Sequence, residues 1–101
     1  MAGPDLERTL DENALNTLLA SGSGWERAGH TLTKTFKRSG FSDAIALVNE
    51  IAKEANAANH HPDIHVEAYR RVRVVLTTHA TGGISDADIK LARRIDELAG
   101  G

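Results

Sequence analysis

Val72, Val74 and Leu76 alternate with Arg73, Val75 and Thr77, which is the period of a strand with one buried face. Such a strand cannot stand alone. It needs partner strands for its backbone groups and a layer that covers its apolar face. The neighbouring sequence supplies both. Ile64 to Tyr69 reads as a strand joined to Val72–Thr78 by a turn around Arg70-Arg71. Leu32, Lys34 and Phe36 share one face of a further strand within the Thr-rich stretch from Trp25 to Lys37, with Thr31, Thr33 and Thr35 on the other. A short strand around Trp25–Arg27 precedes it.

Helical periodicity occupies the remaining segments. Thr9-Leu10-Asp11-Glu12 reads as a capping box, and Leu15, Leu18 and Leu19 then fall on one face until Ser21-Gly22-Ser23-Gly24 stops the helix. Ser42 is a suitable N-cap, with Asp43 in the first turn where the helix dipole favours a carboxylate. Ile45, Val48, Ala52 and Ala55 recur at helical spacing beside Ile51, and this helix is expected to reach about Ala58. Pro62 cannot continue it. Ser85-Asp86-Ala87-Asp88 opens a last helix with apolar Leu91, Ala92, Ile95, Leu98 and Ala99. The order of helix, strands, helix, two strands and helix predicts an α+β fold, an antiparallel sheet with helices on one face.

A length of 101 residues fits a single domain, 1–101, and 41% hydrophobic residues are enough for one modest core. The net charge is −2 with both signs interspersed, so no strong attraction to nucleic acid or membrane follows. There is no cysteine, which removes disulfides and thiolate chemistry. The charged N-terminal residues argue against a secretory signal, and no apolar run approaches the roughly 20 residues of a membrane span. A cytoplasmic location is the expectation.

The candidate chemistry is histidine chemistry. Four of five histidines lie between His60 and His79. Imidazole exchanges protons near neutrality, and His60 and His61 follow a helix C-terminus whose carbonyls favour imidazolium. His79 ends a strand, where the following loop leaves it accessible. Two such groups facing one substrate could give one proton and take another. A His-His pair before proline is also a common way to stop a helix in water. A metal site from His60, His61, His65 and His79 is a further alternative, without an HExxH motif or cysteine to support it. Asp88 at the third position of its helix can simply complete the cap to Ser85. Trp25 reads as a core or interface anchor.

The spaced set carries more than any one motif. His60-His61-Pro62, six residues to Tyr69, nine to His79 and eight more to Asp88 resembles the pterin-4a-carbinolamine dehydratase family. Gly24-Trp25, Phe36, Phe41, Leu76-Thr77-Thr78-His79, Gly83-Ile84-Ser85 and Asp88-Ile89 agree with it. The resemblance implies a four-stranded antiparallel sheet with three helices packed on one face. It implies loss of water from a 4a-hydroxytetrahydropterin to give quinonoid dihydropterin, without metal or bound cofactor, by a homodimer or homotetramer. His60, His61 and His79 would be the catalytic histidines, with His61 mainly holding the pterin. Asn56, Asn59, Thr77, Thr78, Ala80 and Asp88 would line the substrate, Ala80 through its backbone.

One position departs from the family pattern. Four residues before His60 an ionisable residue, often Glu, is usual, and here Asn56 stands. Glu54 lies two residues earlier, about 200° around the helix, and is not placed to substitute. Because relatives include a transcription-factor dimerisation cofactor and assembly proteins for a carbon-fixing enzyme, Asn56 keeps a second expectation open, a binding module acting on a protein partner.

Overall fold

The computed structural model describes residues 10–100. In chain order the elements are α1 (Glu12–Ala20), β1 (Glu26–Ala28), β2 (Thr31–Lys37), α2 (Phe41–Ala58), β3 (Asp63–Glu67), β4 (Arg71–Leu76), a 3-10 turn (His79–Thr81) and α3 (Asp86–Leu98). The strands form one antiparallel sheet in the order β1-β2-β4-β3. Three helices and a four-stranded antiparallel sheet are the predicted α+β architecture.

Sheet register explains the alternation. Leu32 pairs with Leu76, Phe36 with Val72, Ile64 with Val74 and Val66 with Val72, so these residues share the face turned to the helices. Val72, Val74, Leu76 and Leu32 are fully buried there, in one cluster with Leu15 and Leu18 of α1, Leu47 and Ile51 of α2, and Leu91, Ala92 and Ile95 of α3. Trp25 is a core residue, edge-on to Phe36, with its indole N–H donated to the Asp96 carboxylate. Lys34, on the same face as Phe36, turns its amine to Asp96 at 2.7 Å, which satisfies both charges at the edge of the core.

Several local expectations change. Thr9 lies outside the described residues, and Asp11 is the cap of α1, its carboxylate accepting from the N–H groups of Asn13 and Ala14. Helix α2 starts at Phe41 with Gly40 as its cap, not Ser42. Asp43 is drawn back instead, accepting from the Ser39 N–H and hydroxyl and from Arg38. The buried stripe of α2 is Ala44, Leu47, Ile51 and Ala55, while Ile45 is exposed. Both stripes have helical spacing, and the sheet selects the one that places Leu47 and Ile51 inward. Tyr69 belongs to the β3–β4 turn rather than a strand. Ala68 and Tyr69 both adopt left-handed backbone angles, φ 47° and 54°.

Candidate functional site

The end of α2 sets the direction of both adjacent histidines. Asn59 takes the left-handed conformation, φ 49° and ψ 42°, which Asn tolerates better than most residues. Its N–H bonds the Asn56 carbonyl, and the His60 N–H bonds the Ala55 carbonyl at 3.0 Å. This is a Schellman closure, so Asn59 has a backbone reason to be there in addition to any contact with a ligand. The chain leaves the helix abruptly and enters β3 at Asp63.

His60 turns inward. Its Nε2 lies 2.5 Å from Asp88 Oδ1. Asp88 has no solvent exposure. Its Oδ2 accepts from the Thr78 hydroxyl at 2.8 Å and from the Ser85 N–H at 2.9 Å. Thr78 gives its one proton to Asp88, so at 2.7 Å the Ser85 hydroxyl donates to Thr78 Oγ1. The capping box expected at Ser85 is therefore present, and the same carboxylate also holds a histidine from just past the end of α2. A buried carboxylate with every contact donated to it is stable only when so satisfied. An ionised Asp88 can only accept at this contact, which places the His60 proton on Nε2.

His61 turns the other way. Its Nε2 lies 3.0 Å from Asn56 Oδ1, one helical turn back and exposed. Glu54 takes no part, being paired with Arg94 at 2.8 Å across to α3. That pairing, with Glu97 also on Arg94, raises the guanidinium above its ordinary value.

His79 follows Thr78 directly and is exposed on the 3-10 turn. This turn is closed at its base by a reciprocal pair, Thr78 N–H to the Gly83 carbonyl at 2.8 Å and Gly83 N–H to the Thr78 carbonyl at 3.2 Å. Ala80 lies within it. Asp88 therefore joins three places: the end of α2 through His60, the start of α3 through Ser85, and the base of the His79 turn through Thr78. That is how the structure relates His60 to His79.

Three expected substrate contacts have other partners. Asp88 is wholly buried with both oxygens engaged, so it reaches the site surface through His60. Thr78 is nearly as buried, and its hydroxyl is spent on Asp88. The Thr77 hydroxyl donates to the His30 carbonyl at 2.7 Å. His65 extends from β3 in register with Arg73, away from the helix-covered face. Among the described residues no group of three or more His, Cys, Asp or Glu could hold a metal ion. A cleft of about 310 Å³ between α2 and α3 is lined by Glu54, Ala57, Ala58, His60, Ala87, Lys90, Leu91 and Arg94. Of the predicted site residues it contains His60 alone. His30 was not singled out by sequence reasoning; only sheet register brings it to the His79 turn. No helix among the described residues is long and apolar enough to cross a membrane.

The family model described as pterin 4 alpha carbinolamine dehydratase matches residues 8–98. A relative from Thermomicrobium roseum, bearing a provisional pterin-4-alpha-carbinolamine dehydratase name, is 47% identical over 90 residues, 89% of this chain and 96% of the relative. One of the same provisional name from Koribacter versatilis is 39% identical over 93 residues, 92% and 98% of the two chains. A crystal structure described as a transcriptional coactivator/pterin dehydratase from Brucella melitensis superposes with TM-score 0.81 at 35% identity, covering 92% of this chain and all (100%) of that one. A pterin dehydratase-like protein described as a RuBisCO assembly factor in the alpha-carboxysome shares the fold, with TM-score 0.62 at 23% identity over 76% of this chain and 88% of its own.

Proposed function

Since the chain belongs to the pterin-4a-carbinolamine dehydratase family, we propose that it removes water from a 4a-hydroxytetrahydropterin by histidine acid–base catalysis, in the recycling of a pterin cofactor in the cytoplasm. The observation that carries this reading is the Asp88 carboxylate, which holds His60 by one oxygen and the base of the His79 turn by the other.

Dehydration breaks the C4a–O bond and removes one ring N–H proton. The departing hydroxyl needs a proton to leave as water, and the nitrogen must lose one to form the quinonoid product. The two transfers cancel, so the histidine pair returns to its starting charge. His60, with Nε2 committed to Asp88, takes the ring proton at Nδ1, and Asp88 stabilises the imidazolium that forms. His79, on its exposed turn, protonates the hydroxyl. Positioned acid–base help of this kind contributes about 10²–10⁴-fold in rate. His61 holds the pterin, with Asn56 fixing its ring through Nε2. Asn59 and the backbone of Ala80 complete the wall. Asp88 and Thr78 are positioning groups behind it.

The test is the dehydration rate of authentic carbinolamine with and without protein. Acceleration above buffer supports the reading; the buffer rate alone contradicts it.

A second reading, a module for a protein partner, draws support from apolar side chains left outside the core. Phe41 is 56% exposed and Ile45 36% on α2, and Val66 36% on the edge strand β3. These surfaces suit self-association into a homodimer or homotetramer, or a protein partner. Light scattering, combined with calorimetric titration of a dihydropterin, separates the readings. A protein partner without pterin binding would favour the module.

A further inference from the structure

We infer that His30 is a positioning residue for His79, acting as a brace on the turn that carries it; this rests on the dehydratase reading for its catalytic consequence. His30 lies in the β1–β2 turn, which is held by the Thr31 hydroxyl on the Ala28 carbonyl at 2.9 Å and by Arg27 Nε on the Gly29 carbonyl at 3.2 Å. Because β2 sits between β1 and β4, this turn lies beside the exit of β4. Two contacts join them. The Thr77 hydroxyl donates to the His30 carbonyl at 2.7 Å. The His30 ring packs on Gly83, where an added Cβ would stand 3.3 Å from Nδ1.

Gly83 does not have the positive φ that would call for glycine, unlike neighbouring Gly82 at φ 72°. The imidazole above it is what leaves no easy room for a side chain. Gly83 is also the residue that closes the His79 turn by its paired bonds to Thr78. Thr78 in turn is fixed from below by Asp88. The turn is thus gripped on two sides, by Asp88 from the core and by the His30 ring and carbonyl from the sheet edge. Loosening the outer grip lets His79 wander relative to His60. Displacements of this kind act on the transition state more than on substrate binding, and a shift of about 1 Å can cost up to about 10²-fold.

The experiment pairs kinetics with amide hydrogen exchange at Thr78 and Gly83 in the full chain. His30→Ala is expected to speed exchange at both amides by about 3–10-fold, as a locally weakened closure does. It should lower kcat by about 3–10-fold with KM within about twofold, a partial form of the misplacement cost. His30→Phe, which keeps a flat ring and has no ring nitrogen, is expected to restore both. Exchange and kcat unchanged in His30→Ala would overturn the brace, as would His30→Phe behaving no better than His30→Ala. Wild-type protein without dehydratase activity would contradict the functional reading alone, and the exchange rates would still decide the brace.

Discussion

Asp88 Oδ1 and His60 Nε2 stand 2.5 Å apart, between residues 28 positions distant in the chain, and Asp88 sees no solvent. One side chain therefore caps α3, orients an imidazole from the end of α2 and holds the threonine that precedes His79.

Asp88 should matter for rate through His60. Asp88→Asn keeps the shape but loses the charge that, in the proposed mechanism, stabilises the His60 imidazolium. A fall in kcat of about 10-fold to 10²-fold is expected, as for other groups that orient a functional histidine. Asp88→Ala should in addition destabilise the fold by about 1–3 kcal/mol for each buried donor left without a partner. Steady-state kinetics and urea unfolding on the two variants check this. An Asp88→Asn enzyme as fast as wild type would remove His60 orientation from the mechanism.

Asn56 offers an uncharged acceptor to His61. Asn56→Leu should weaken pterin binding about 5–10-fold by freeing the ring, the loss of about one hydrogen bond's net contribution. Asn56→Glu introduces a carboxylate that favours the His61 imidazolium. Its pH–rate profile should differ from that of wild type. Superimposable profiles would show that position 56 does not tune His61.

The β3–β4 turn is held in a conformation that its residues resist. Ala68 and Tyr69 have φ of 47° and 54°, whereas turns of this hand favour Asn-Gly. Replacing the pair by Asn-Gly should stabilise the protein by about 1–2 kcal/mol, after the greater unfolded-state freedom of glycine is subtracted. Thermal and urea unfolding of the double variant would read this directly, and a loss of stability would show that the Tyr69 side chain contributes more than its backbone costs.

Two surface carboxyls are held below their ordinary values, which ties stability to pH on the acid side. The Ser39 N–H, then Arg38 and the Ser39 hydroxyl, hold the Asp43 carboxyl below its ordinary value of 3.8. Arg73 does the same for Glu67, below 4.5. A carboxyl lowered in the folded state contributes stability that is fully present above its unfolded value and is lost as pH falls through the folded one. Asp43→Asn should therefore flatten the decline in stability as pH falls below the ordinary carboxyl value of 3.8, and leave its shape near neutrality unchanged. Unfolding midpoints across that range test it, and an unaltered acid limb would assign the decline to other groups.

Much of the architecture was legible in advance because strand alternation and helix spacing are local. Val72, Val74 and Leu76 point inward as the pattern requires, and Pro62 places His60 and His61 past the end of α2. The buried stripe of α2 was not legible, since two stripes of equal spacing compete and only the sheet decides. The start of α2 was missed because Ser39 and Arg38 claim Asp43. In the site, Asp88 showed its cap in the sequence, but nothing local revealed that its second oxygen reaches His60. His30 was silent for the same reason: its contact with Gly83 exists only once β2 and β4 are paired.

The central claim is that His60 and His79 exchange protons with one pterin. The most direct measurement is the dehydration rate of authentic 4a-carbinolamine with His60→Ala, His79→Ala and the double variant, set beside wild type. Each single variant should lose about 10²-fold or more, and the double variant should fall to the buffer rate. A double variant that still dehydrates the carbinolamine at the wild-type rate would contradict the account.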